Sequence, residues 1–124
     1  MLSQSALTTS APVTDLERTR AFYRDKLGLT ERHSDEVGVV FEAGKGTTIY
    51  LYKRGPSKAD HTIGSFSVAD MDAEVAELKA RGVVFENYDM PGMKTENGIA
   101  TWGTDKAAWF KDPDGNILGL FQKG

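Results

Sequence analysis

The chain has 124 residues, 40% hydrophobic and 27% charged, with a formal net charge of −3; this is an ordinary globular composition, long enough for a real core. Acids and bases are interspersed, which argues against nucleic acid or an anionic membrane as the partner. There is no cysteine, which excludes disulfides, thiolate metal sites and cysteine nucleophiles; no signal peptide or membrane span is legible, so a cytoplasmic location is expected.

Ser5 to Val13 reads as a strand, with Leu7, Ala11 and Val13 on one face. Thr14-Asp15-Leu16-Glu17 offers a Thr-x-x-Glu capping box for a helix that runs to about Lys26 and stops at Gly28. Leu16, Tyr23 and Leu27 share a face of that helix, with Phe22 beside them. Three short strands follow at Thr30 to His33, Val37 to Glu42 and Thr48 to Tyr52, the last two joined by a turn at Gly44 and Gly46. "KRGPSKAD", residues 53–60, is a polar linker.

Beyond the linker the order repeats. Ile63 to Val68 is strand-like, Asp70 can cap a second helix, and Met71, Val75 and Leu78 lie at i, i+4 and i+7 before Gly82 ends it. Sliding one half over the other puts Ser65 on Ser10, Val68 on Val13 and Asp70 on Asp15, so each half is one strand, one helix and three strands. "VVFE" is taken as the second strand of the second half, and "NYDMPGMKTENGIATWGTD" as a longer connection between its second and third strands. The closing stretch places two strand-like runs around Asp112-Pro113-Asp114-Gly115, and the second run contains Gly119. A glycine inside a strand marks a close approach to the backbone.

Val13-x-Asp15-Leu16-Glu17-Arg18 with Ala21-Phe22-Tyr23-Arg24-Asp25 and Leu27-Gly28-Leu29, and later "FKDPDGNILGLFQ", resembles the opening and closing motifs of the vicinal oxygen chelate superfamily. That group contains glyoxalases, bleomycin-resistance proteins and extradiol dioxygenases. The resemblance covers nearly the whole chain. It implies an α+β fold of two βαβββ modules forming a cupped, partly open mixed β-sheet barrel with helices on the outside. The whole chain, 1–124, would be a single domain: module 1 at about 5–53, a linker at 54–60 and module 2 at about 61–122. A homodimer is usual in the group.

Metal-dependent members carry one ligand on the first and last strand of each module. Carried over by position, those places hold Thr8, Tyr50, Ile63 and Gly119, which do not together supply the imidazole or carboxylate donors such a metal needs. The expectation is a chain without metal or other cofactor. The cup lining implied by alternation is Thr48, Tyr50 and Tyr52; His61, Ile63 and Ser65; and Ile117, Gly119 and Phe121. Trp109 points inward if Phe110 faces the helix, and Met90, Met93 and Trp102 lie in the connection that could fold over the opening. Thr8 completes the set.

His61 has two readings, a displaced ligand or general base at the rim, and a solvated residue closing the linker. Tyr50, Tyr52, Trp102 and Trp109 could equally be core by pattern alone; the resemblance assigns them to the site. An aromatic, thioether-containing wall with hydroxyls suits a planar hydrophobic molecule, and Gly119 would leave space for its ring. Two functions remain: metal-independent binding of such a molecule, as in drug-sequestering resistance proteins, and a metal-independent lyase or isomerase. The second needs a base and an oxyanion stabiliser, for which His61, Tyr50, Tyr52, Asp105 and Lys106 are the candidates.

Overall fold

The computed structural model describes residues 1–57 and 59–124 and falls into two units, Met1–Ser57 and Lys58–Gly124, each built on one mixed sheet with one helix against it. Of the expected linker, Lys58 lies outside the described residues.

In the first unit, β1 (Thr9–Val13) is followed by α1 (Leu16–Arg20), whose axis continues as a π-helical turn over Ala21–Lys26. Then come β2 (Thr30–Ser34), β3 (Gly38–Glu42) and β4 (Thr48–Lys53). The sheet order is β1-β4-β3-β2, with β1 parallel to β4. The first strand starts at Thr9 and not at Ser5, because its pairing with β4 starts there; Leu7, expected on the core face, is exposed. The cap is also one residue later than the box predicts. Asp15, not Thr14, is the N-cap, and its Oδ1 accepts the amides of Glu17 and Arg18 at 3.0 and 3.2 Å. Phe22 and Tyr23, consecutive in the π turn, are both buried. Tyr23 stacks on Phe41 with centroids 5.9 Å apart, over Ala11, Val13, Val39, Ile49 and Leu51.

The second unit contains β5 (Thr62–Ser67), α2 (Met71–Ala80), β6 (Asp89–Met90), β7 (Met93–Glu96), β8 (Ile99–Trp102), β9 (Asp105–Lys111) and β10 (Ile117–Gln122), in the sheet order β5-β10-β9-β8-β7-β6. Asp70 caps α2 through Ala73 N, and Met71, Val75 and Leu78 are buried as their spacing predicts. "VVFE" is not a strand: it contributes one bridge, Phe85 to Phe110. The place opposite β9 is taken by β8, out of the supposed connection. Three tight turns explain why that segment folds into a meander. Pro91-Gly92 supplies the positive φ (+81°) of a type II turn, Asn97 and Gly98 both have positive φ as a type I′ hairpin requires, and Gly103 (φ +63°) starts the β8–β9 turn.

The closing turn is held by Asp112. Its Oδ1 accepts the amides of Asp114 and Asn116 at 2.9 Å and its Oδ2 accepts the Asn116 side-chain amide at 2.9 Å. This explains the Asp-Pro-Asp-Gly-Asn sequence: one buried carboxylate closes three hydrogen bonds between two strands.

Candidate functional site

Each sheet has a face covered by its helix and a face turned away from it, and the predicted site residues are to be sought on the latter. In the first unit Ile49 and Leu51 are buried on the helix side, so alternation sends Thr48, Tyr50 and Tyr52 to the opposite face, where all three are half-buried. Tyr50 and Tyr52 stack with centroids 5.9 Å apart and planes 24° apart. Thr8, just before β1, is exposed and its Oγ1 lies 3.1 Å from Thr48 Oγ1. The structure thus brings Thr8, Thr48, Tyr50 and Tyr52 together.

A residue that sequence reasoning passed over explains the tyrosine geometry. Gly38 on β3 lies under the Tyr50 ring: a Cβ there would stand 2.7 Å from Tyr50 Cε1 and 2.6 Å from the Leu51 carbonyl oxygen. The signal was available, since Gly38 interrupts a predicted strand as Gly119 does. Glu42, opposite Thr48 on β3, forms an ion pair with Arg32.

In the second unit Leu118 and Leu120 face the helix, and Ile117, Gly119 and Phe121 face away. Pairing places Ser65 of β5 and Trp109 of β9 on either side of Gly119. Trp102, opposite Asp105, belongs to the same face, and its Nε1 donates to Gly92 O at 3.0 Å, holding the β6–β7 turn beside it. Met93 is half-buried on that turn's strand and pairs with Met90, which is half exposed. Tyr88, absent from the predicted set, packs edge-on against Trp109 at 5.6 Å. Its backbone is clamped to Thr95, whose Oγ1 accepts the Tyr88 amide at 2.8 Å.

Two predicted residues stand apart. Ile63 falls in a register shift between β5 and β10, so simple alternation does not orient it. His61 precedes β5, is exposed, and has Nδ1 3.2 Å from the Thr62 carbonyl oxygen.

Gly119 itself gives a more specific answer than expected. Its missing Cβ would stand 2.8 Å from Ser65 Oγ and 3.4 Å from Cδ1 and Nε1 of Trp109. The backbone approach that the glycine permits is therefore made first by this chain's own side chains.

Thr8 and Tyr50 in the first unit, and Ile63 and Gly119 in the second, carry two hydroxyls and no carboxylate or imidazole. Among the described residues no three His, Cys, Asp or Glu side chains cluster to hold a metal ion. Of the acid–base candidates, Lys106 is paired with Asp72 at 3.1 Å and Asp105 accepts the Gly124 amide at 2.8 Å, both structural contacts.

Paired modules of this topology, with an aromatic face opposite the helix side, define a class, and the comparisons agree. Residues 6–120 match the profile of the Glyoxalase/Bleomycin resistance protein/Dioxygenase superfamily. The chain belongs to that superfamily. No curated protein matches its sequence significantly. Among solved structures it is similar to UcmS2, at a TM-score of 0.73 and 21% identity over 95% of this chain and 98% of that one. It is similar to TnmS3, an antibiotic binding protein from Streptomyces sp. CB03234, at a TM-score of 0.67 and 24% identity over 100% and 99%. It also resembles FosX, a fosfomycin resistance protein from Listeria monocytogenes, at 0.73 and 18% over 98% and 94%. Among the described residues no helix is long and apolar enough to cross a membrane.

Proposed function

We propose that the protein binds a planar, largely apolar aromatic molecule against the open sheet faces without metal, as a homodimer in the cytoplasm. The observation that carries this reading is the disposition of the aromatics. Tyr50, Tyr52, Tyr88 and Trp109 are half-buried on faces away from the helices, while Phe41, Phe85 and Phe110 fill the cores. Aromatic rings kept partly accessible in stacked and edge-on pairs offer a ligand ring the same contacts they make with one another. Met90 and Met93 at the adjoining turn add adaptable thioether contacts. The likeness to an antibiotic binding protein is in keeping with this reading.

Tryptophan fluorescence tests it, because both tryptophans lie on the open face of the second unit. A panel of planar aromatics should contain compounds that quench saturably at micromolar concentration. Trp109→Ala should weaken their binding by about tenfold, the value of one aromatic contact beyond its buried area. A panel without any saturable quencher would sink the proposal. Light scattering and cell fractionation test the assembly and the compartment.

A further inference from the structure

The helix side of the second sheet, behind the aromatic face, carries a groove of its own. α2 packs over β9 and β10, and past its flank the helix-side residues of β7 and β8 line a space of about 450 Å³. Strand pairing orders the walls. Glu96 pairs with Ile99, Ile99 with Ala108 and Thr101 with Lys106, so these side chains share a face. Lys94, two residues before Glu96 on β7, joins them. Two bridges tie the groove to the helix. Lys106 Nζ meets Asp72 Oδ2 at 3.1 Å near the start of α2, and Lys79 Nζ donates to the Asn97 carbonyl oxygen at 3.0 Å near its end. The rise of the helix from Asp72 to Lys79 sets these bridges about 10 Å apart along its axis. Between them stand two opposite charges that leave each other alone. Lys94 and Glu96 are exposed and, among the described residues, form no ion pair with each other or with another side chain. Their places on one strand face are about 7 Å apart. Thr101, beside Lys94 in the continued β7–β8 register, has no hydrogen-bond partner for its hydroxyl among the described residues.

From this arrangement we propose that the groove binds a small zwitterion of the ω-amino carboxylate class, with its two charges at the ends of a short apolar chain. The carboxylate sits on Lys94 and the Thr101 hydroxyl, the ammonium on Glu96, and the methylenes lie over Ile99. Extended 6-aminohexanoate has a charge separation that matches the spacing of Lys94 and Glu96. The remaining charges set what each end contributes. Lys106 and Asp72 offset each other, and Lys79 leaves the groove with one positive charge in surplus. The carboxylate therefore supplies the attraction, and Glu96 selects for an ammonium at the other end over a plain fatty carboxylate. This site lies on the other side of the sheet from the aromatics and does not depend on the aromatic-ligand reading.

The test titrates the protein with 6-aminohexanoate, hexanoate and hexylamine and follows amide and indole signals by NMR. 6-Aminohexanoate should shift the amides of Lys94 to Thr101 saturably and leave the Trp109 indole signal unmoved. Hexanoate and hexylamine should each bind about fivefold more weakly, the worth of one exposed ion pair. Glu96→Gln should bring 6-aminohexanoate down to the affinity of hexanoate and leave hexanoate as it was. Lys94→Gln should weaken both carboxylates by the same factor. Both side chains are exposed, so neither substitution disturbs the core. Added salt should weaken 6-aminohexanoate, because charges at the surface are screened. Equal binding of hexanoate and 6-aminohexanoate by wild type would mean an anion site only and overturn the proposal. Shifts centred on Trp109, or no saturable shift, would overturn it as well.

Discussion

Two glycines show how much one missing Cβ decides. By strand register Tyr50 and Gly119 are equivalent, each facing a serine, Ser10 or Ser65, on the first strand of its unit. The units exchange the partners: in the first an aromatic on the last strand covers a glycine on the penultimate strand, and in the second an aromatic on the penultimate strand leans on a glycine on the last. The glycines are not interchangeable in cost. At Gly38 a methyl would meet the fixed Leu51 carbonyl oxygen as well as the Tyr50 ring. Gly38→Ala should therefore lower stability by about 1–3 kcal/mol and loosen the Tyr50–Tyr52 stack, read as a fall in melting temperature and a changed tyrosine near-UV signal. At Gly119 the nearest atom is a rotatable hydroxyl, so a small side chain is tolerable. Gly119→Glu is another matter: this position is buried, and a carboxylate there must displace the Ser65 hydroxyl and the indole edge. It should abolish most aromatic-ligand binding and also lower the melting temperature. Unchanged affinity in Gly119→Glu would place the pocket elsewhere.

At the scale of elements, what could be read from the sequence was what local chemistry determines. Asp70, the Met71-Val75-Leu78 stripe and the stop at Gly82 are local signals, and they hold. The first helix was legible as a helix, but its π turn was not, because a π turn is rare and carries no residue signature. The β6–β8 meander had a legible sign, Asn97-Gly98, the strongest two-residue hairpin signal. The apolar look of "VVFE" pointed to a strand instead, yet its Val84 is exposed. The β2–β3 turn carries a titrating group of its own. Asp35 Oδ1 accepts the amides of Val37 at 2.8 Å and Gly38 at 3.0 Å. These bonds, Val37's first, hold its pKa below the usual carboxylate value, with a smaller contribution from nearby His33. A folded pKa below the unfolded one, about 3.9, means the stabilisation is complete above that value and is lost as pH falls through the folded pKa. An NMR titration should give Asp35 a midpoint below an ordinary aspartate's, and Asp35→Asn should flatten the acid limb of the stability profile. A normal midpoint would mean that the turn does not depend on the charge.

For the whole molecule, the repeat explains both the likeness to distant relatives and the limits of reading it. Two units share strand order and first-strand register, so the superfamily's fold persists at about one identity in five. The motifs that identify it, Asp15 at a cap and Asp112 at a turn, are structural, which is why they reveal the fold and leave the ligand open. The candidate site was legible only where alternation is regular, as at Tyr50 and Trp109, and not at Ile63, where the register shifts. Each sheet also ends on strands with a free edge in its own order, β1 and β2 in the first and β5 and β6 in the second. Val37 and Val84 stand 59% and 76% exposed, and Trp102 and Phe121 43% and 40%. Open edges and uncovered apolar side chains invite self-association unless a specific partner covers them, and a symmetric second copy is the simplest cover. Light scattering should give a mass of two chains, and the unfolding midpoint should rise with protein concentration, because association stabilises only the folded chain. A monomer whose midpoint ignores concentration would show that these edges and side chains are covered within one chain.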